Sequence, residues 1–251
     1  MTSTPALAIT GATKRFGAVV ALDSVDLSVE HGEVLALLGD NGAGKSTLIK
    51  CISGVYRFDG GNVEMDGRTV DISSPAVARS LGIETVYQDL ALFDNLDPAA
   101  NFYAGREIAG PRWLPRGLRF MRRTDMAGDT VKVLQRLQVG IADRRTSVGL
   151  MSGGQRQAIA VARAAAFASQ LVILDEPTAA LGVRESRGVL ELIKRLRDEG
   201  RAVIVISHAM DHVIEIADRA AVMRRGQKVG EEVPHADNRQ RIVSLIVGGD
   251  G

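Results

Sequence analysis

Residues 39–47 read Gly39-Asp40-Asn41-Gly42-Ala43-Gly44-Lys45-Ser46-Thr47, directly after the apolar run Val34-Leu35-Ala36-Leu37-Leu38. A glycine, four residues and then Gly-Lys-Ser is the pattern of a phosphate-wrapping loop, provided that a strand precedes it and a helix follows. The apolar run suits a strand buried on both faces of a parallel sheet. A helix is expected to open near Lys45. Glycines here allow backbone angles that turn several N–H groups into one concavity, and the helix start adds the positive end of its dipole. This stretch therefore confines the chain to an α/β fold with a ligand at the carboxyl ends of its strands. Lys45 is expected to reach the β- and γ-phosphates of a nucleotide, Ser46 to ligate Mg²⁺, and Thr47 to donate to the α-phosphate.

A second strand end carries acids. Leu171-Val172-Ile173-Leu174 runs into Asp175-Glu176-Pro177-Thr178. Asp175 is placed to hold Mg²⁺, directly or through water, and Glu176 to polarise an attacking water as general base. Further along, Ala202-Val203-Ile204-Val205-Ile206 ends at Ser207-His208, which puts an imidazole on the same ligand-facing side. Ser152-Gly153-Gly154-Gln155 precedes a helix expected to run to about Ser169, so Ser152 also suits a helix N-cap. His31, His212 and His235 have no such placement and read as structural or surface residues.

Composition narrows the classes. The net charge of +1 gives no electrostatic footprint for nucleic acid, and 4% aromatics leave few stacking surfaces for single strands. The single Cys51, set among apolar residues, excludes an internal disulfide and reads as a buried thiol in a reducing cytosol. No stretch has the length and apolarity of a signal peptide core or a membrane span, so a membrane role is expected to come through a partner.

Across the 251 residues the texture changes twice. Residues 6–30 alternate apolar and polar positions, as in Leu22-Asp23-Ser24-Val25-Asp26-Leu27-Ser28-Val29, and read as antiparallel strands. Short strands recur at 60–72 and end again at Val86-Tyr87-Gln88. From 89 to 165 the chain reads as mostly helical, with a loop at Gly110-Pro111-Arg112-Trp113-Leu114-Pro115-Arg116-Gly117 and an amphipathic helix near 125–138. Strand–helix alternation then resumes, with a helix at about 184–199, one at about 210–217, two β segments near 220–233, and a docked tail helix at 238–247.

The ordered set of phosphate loop, Gln88, Ser152-Gly153-Gly154-Gln155, Asp175-Glu176 and His208 resembles the nucleotide-binding subunit of an ABC transporter, over nearly the whole chain. The resemblance implies one ABC ATPase domain over 1–251. It comprises a P-loop NTPase core of RecA-like parallel sheet with an antiparallel β lobe (1–88 and 166–251) and a helical subdomain at 89–165. It implies that Phe16 stacks on adenine and that Gln88 senses the γ-phosphate and Mg²⁺. ATP lies across Gly39, Asp40, Asn41, Gly42, Ala43, Gly44, Lys45, Ser46 and Thr47. Ser152, Gly153, Gly154 and Gln155 serve the ATP of the other subunit in a head-to-tail homodimer. Glu176 is then the catalytic base and His208 holds the γ-phosphate and positions water.

The segment Leu92-Phe93-Asp94-Asn95-Leu96-Asp97, with Ala100-Asn101 and Gly105-Arg106-Glu107, is similar to ATPases of bacterial monosaccharide importers of the ribose, xylose and fructose type. That likeness implies ATP-driven sugar import from the cytoplasmic face of the inner membrane, as a peripheral subunit. The implied partners are membrane permease subunits and a periplasmic sugar-binding protein, with no nucleic acid. The competing readings are an importer of another small solute, such as an amino acid, and an ABC ATPase outside transport. Two positions depart from the family pattern: Met151 stands where Leu is usual, and Gly182 stands where Asp is common.

Overall fold

The computed structural model describes residues 4–110, 113, 120–140, 145–179 and 181–248. Of the loop expected at 110–117 only Gly110 and Trp113 are among them, and Ala180 of the Thr178–Gly182 segment lies outside.

The chain begins with β1 (Leu7–Phe16), β2 (Val19–Val29), β3 (Val34–Gly39) and α1 (Lys45–Ile52). Next come β4 (Gly60–Met65), β5 (Arg68–Thr69), α2 (Pro75–Ser80), β6 (Ile83–Val86) and α3 (Pro98–Phe102). The hairpin β7 (Ala109–Gly110) and β8 (Phe120–Met121) leads to α4 (Arg123–Arg136), α5 (Gly153–Phe167) and β9 (Leu171–Asp175). The remainder is α6 (Val183–Asp198), β10 (Ala202–Ile206), α7 (Met210–Ile216), β11 (Arg219–Arg224), β12 (Gln227–Glu232) and α8 (Arg239–Val247).

The central sheet has the order β12-β11-β3-β10-β9-β6, parallel throughout except for the antiparallel edge strand β12. Every residue of β3 is buried, because the sheet is covered on both sides. Leu35 and Leu37 face one cluster with α1, β1 and β2. Val34 faces a second cluster with α5 and α6, and Ala36 and Leu38 a third with α7 and α8. Period-two alternation thus persists in a strand with no polar residue to reveal it. The tail helix α8 docks through Ile242, which is fully buried. Burial of a side chain of that size contributes about 1.5–3 kcal/mol.

A second, antiparallel sheet has the order β2-β1-β4-β5. Its β2 contains a bulge. Ala12 pairs with Val25 and Lys14 with Leu22, so three steps on one strand face two on the other. Ser24 absorbs the extra residue with φ 50°. In a regular strand a spacing of three would place Leu22 and Val25 on opposite faces. The bulge returns both to the core, where each is fully buried.

The span from 89 to 165 is less helical than its sequence texture suggests. Between β6 and β9 the regular helices are α3, α4 and α5, with a short hairpin between the first two. Much of the rest is turn, held by side chains. Asn101 is fully buried. Its amide donates to the carbonyls of Phe93, Leu96 and Asp97 and accepts from Phe93 N–H. Helical propensity in 89–97 gives way to this one amide, which satisfies backbone groups that a helix would otherwise pair. Among the described residues, no helix is long and apolar enough to cross a membrane.

Candidate functional site

The parallel register gathers the site. Val86, Leu174, Val205 and Ala36 lie in one row across β6, β9, β10 and β3. Two or three residues beyond that row stand Gln88, Glu176 and His208, just past the ends of β6, β9 and β10, and Gly39, the last residue of β3. Residues far apart in sequence therefore emerge from one edge, at the carboxyl ends of the strands.

The phosphate loop turns tightly against its neighbours. Gly39 has φ 146°, and a Cβ there would stand 2.3 Å from the Met223 carbonyl oxygen. Gly44 has φ 103°, and its Cβ would stand 2.7 Å from the Ala21 carbonyl. Packing as well as backbone freedom therefore requires glycine at both positions. Gly44 is the N-cap of α1 and offers no side-chain cap to its first N–H groups. Lys45 is buried, and its Nζ donates to the carbonyls of Gly39 at 2.6 Å and Asp40 at 3.0 Å. Burial lowers its pKa, against the opposing charges of Glu176, Asp175 and Asp40. Ser46 and the loop residues Asp40, Asn41 and Gly42 are exposed, Thr47 is half-buried, and Ala43 is buried.

The acids sit opposite. Burial raises the pKa of Asp175, with Lys45, Lys50 and His208 pulling the other way. Burial raises that of Glu176 too, opposed chiefly by His208. Glu176 adopts φ 51°, a left-handed conformation costly for a residue with a Cβ. Its N–H donates to the Ile206 carbonyl at 3.0 Å, which ties it to the strand carrying His208. The Glu176 Oε1 atom lies 3.3 Å from His208 Nε2. That oxygen is buried without a well-aligned hydrogen bond, so it keeps acceptor capacity to spare.

Ser152 caps α5. Its Oγ accepts from Gln155 N–H at 3.2 Å, while Gln155 Oε1 accepts from Ser152 N–H at 3.1 Å. This is a reciprocal capping box. Gly153 and Gly154 are the first residues of the helix rather than its prelude. With Gln88, Asp89, Ala179 and Leu181, Gly153 lines a cleft of about 370 Å³. The phosphate loop is not in that wall. The structure thus unites Gly39–Thr47, Asp175, Glu176, His208 and Gln88 at one edge, and sets Ser152–Gln155 against the Gln88 side. Phe16, at the end of β1, is 41% exposed and meets Tyr56 edge-on at 5.1 Å.

Several contacts were not visible in the sequence. Tyr87 Oη bonds Ser53 Oγ at 2.7 Å, which ties the approach to Gln88 to the end of α1. His212, read as structural, bonds Thr178 Oγ1 at 3.0 Å just beyond Glu176. His31 likewise pairs with Asp66 at 2.6 Å. Glu185 packs over Gly154 and Gly182. Only Glu185 carried a local signal, an acid three residues after a helix start. Cys51 is buried as expected, and its thiol is pushed up to about 11 by that burial.

A family model described as ABC transporter matches residues 22–179. The chain belongs to the ABC transporter family. It is 47% identical over 230 residues to the fructose import ATP-binding protein of Rhizobium meliloti, covering 91% of this chain and 88% of that protein. It is 45% identical to the xylose/arabinose import ATP-binding protein of Sulfolobus acidocaldarius, covering 93% and 90%. Against a ribose import ATP-binding protein of Rubrobacter xylanophilus it is 43% identical and spans 47% of that protein's length. Among solved structures, a nucleotide-free ATP-binding cassette from an ABC transporter superposes with a TM-score of 0.82 at 25% identity, covering 97% of each chain. The ADP conformation of an ATP-binding cassette of an ABC transporter gives 0.81 at 25% identity, over 97% of this chain and 99% of that one. The mixed sheet, antiparallel lobe and helices of this ABC transporter chain are those of an ABC ATPase cassette.

Proposed function

We propose that the chain binds and hydrolyses ATP to drive import of a monosaccharide through a membrane permease. One observation carries the chemical half of this reading: phosphate loop, Asp175–Glu176, His208 and Gln88 leave one sheet edge, with Glu176 and His208 in contact. The solute half is supported by the relatives, which are named for fructose and xylose/arabinose import.

In this reading Gly39–Thr47 wrap the phosphates and Phe16 stacks on adenine. Lys45 Nζ leaves its two loop carbonyls for the β- and γ-phosphates, exchanging neutral acceptors for charged ones. Glu176, half-buried and with an unused acceptor, takes the proton of an attacking water, and His208 orients that water against the γ-phosphate. The oxygen donors Ser46, Asp175 and Gln88 fit a hard cation, and one carboxylate with substrate phosphates is the usual way to hold Mg²⁺. Bound there, Mg²⁺ would neutralise developing phosphate charge.

The cleft that Gly153 lines with Gln88 has no phosphate-loop residue in its wall, which supports Ser152–Gln155 acting on the nucleotide of a second copy, head to tail. Residues 89–165 then form the lobe that meets the permease, inserted in the core of 1–88 and 166–251. A cavity of about 300 Å³ lined by Phe93, Leu96, Ala100 and Tyr103 suits a docked permease segment. The subunit sits at the cytoplasmic face of the inner membrane, and a periplasmic sugar-binding protein supplies the solute.

The test is affinity capture of the Glu176→Gln protein with Mg-ATP from detergent-solubilised membranes, with partners identified by mass spectrometry. Recovery of a multi-helix permease is expected, and a sugar panel on the accompanying binding protein then names the solute. Recovery of soluble partners alone, from membranes shown to hold intact transporters, would overturn the importer reading.

A further inference from the structure

Two glycines owe their missing side chains to one acid. A Cβ on Gly154 would stand 2.3 Å from Glu185 Cγ and 2.6 Å from Glu185 Cβ. A Cβ on Gly182 would stand 2.6 Å from Glu185 Oε2. Gly153 faces Leu181 at 3.6 Å in the same way. The start of α5 is therefore seated directly on the start of α6. Glu185 fills the gap, with its carboxylate where a side chain at position 182 would lie.

The placement is favourable on its own terms. Glu185 stands in the first turn of α6. There a negative charge meets the positive end of the helix dipole, and helical side chains lean back toward the N-terminus. Gly182 is the N-cap of α6 and makes no side-chain cap of its own.

Backbone bonds tie the described residues between Glu176 and Gly182. Ala179 N–H donates to the Glu176 carbonyl at 3.1 Å, and Leu181 N–H to the Thr178 carbonyl at 3.3 Å. Ser186 N–H donates to the Gly182 carbonyl at 2.9 Å. A shift of Glu176 is thus carried to Gly182 and, through Glu185, to Gly154.

We propose that Glu185 is a positioning residue that couples the two nucleotide sites of the dimer. It holds Ser152–Gly154, offered to the partner's ATP, in register with the loop that follows the subunit's own Glu176. The proposal rests on the head-to-tail dimer put forward above.

The experiment uses Glu176→Gln as the parent and measures Mg-ATP-dependent dimerisation by analytical ultracentrifugation. Glu185→Ala, Gly182→Ala and the double variant are compared with it, alongside the Mg-ATP affinity of the dilute monomer. Gly182→Ala is the decisive partner. Its backbone, at φ −69°, accepts any residue, and the added methyl only displaces the Glu185 carboxylate.

Each single variant is expected to weaken dimerisation about tenfold, an ordinary size for coupling between sites. The monomer's affinity should be unchanged. The double variant should be no weaker than either single, because both remove one contact. Parent-like dimerisation in either single variant overturns the proposal, as does an additive loss in the double. If Glu185→Ala lowers Tm, Gly182→Ala decides. A parent that stays monomeric in Mg-ATP removes the dimer reading, and this proposal with it.

Discussion

Two glycine-rich helix starts in this molecule answer the same electrostatic problem in opposite ways. At α1, Gly44 leaves the first N–H groups without a side-chain cap, and Lys45, the first residue of the helix, is buried among loop carbonyls. At α5, Ser152 Oγ takes the Gln155 N–H and Gln155 Oε1 takes the Ser152 N–H, a side-chain cap that α1 lacks. The first is built as an unfinished anion site. The second carries a side-chain cap, and the proposed dimer gives it a surface from a second copy. Ligand affinity should therefore reside at α1 and its acids, and assembly at α5.

The sharpest break of that contrast is at Glu176. Glu176→Gln should lower steady-state turnover by about 10²–10⁴-fold, the usual worth of a general base, with nucleotide affinity retained. Turnover near the parent rate in a phosphate-release assay would remove Glu176 as the base. Burial raises its pKa, and a base must be ionised. The acid limb of the wild-type rate profile should therefore lie above the ordinary glutamate range, with activity falling as pH falls through it.

Lys45→Ala should weaken Mg-ATP binding about 10–100-fold, the worth of charge-assisted hydrogen bonds. Titration calorimetry finding unchanged affinity would contradict the α1 side of the contrast. Ser152→Ala should do the reverse: unchanged affinity in the monomer, reduced turnover, and about 1 kcal/mol of lost cap. That corresponds to about 2–4 °C in Tm for a chain of this size. Phe16→Ala should cost about two- to tenfold in ATP affinity but nothing for inorganic triphosphate. Equal losses for both ligands would remove adenine stacking.

The smallest effect concerns stability. A folded-state pKa raised above the unfolded value favours folding at low pH, and that advantage is lost as pH rises through the folded value. Neutralising Glu176 with Gln should therefore raise Tm at pH 7.5, and the increment should shrink to nothing below the ordinary glutamate pKa. A Tm difference independent of pH would assign the change to packing instead.

These comparisons show what a sequence exposes. The phosphate loop, the runs at 171–175 and 202–206, and the helix faces at Val189, Leu190, Leu192, Ile193 and Leu196 were legible, because each is one contiguous pattern with one period. The bulge at Ser24 was not, because the spacing of Leu22 and Val25 acquires meaning only from the partner strand. The texture of 89–165 misled for a related reason: Asn101 supplies from a distance the hydrogen bonds that propensity assigns to a helix. Gly154 and Gly182 show the same limit. The first was explained through a ligand and the second through a missing acid, yet Glu185 accounts for the space at both.

The buried Asn101 has one more consequence, for descent rather than for chemistry. All four of its bonds end on main-chain atoms of residues 93–97. Within the turn Asp97 caps α3 by accepting from Ala100 N–H at 2.8 Å and Asp94 pairs with Arg156 at 3.8 Å, while its tip, Phe93, is 54% exposed. Asn101 holds the backbone whatever side chain stands at Phe93, so a lineage can refit that exposed position to a new counterpart by a single substitution while the ATP-handling edge stays as it is.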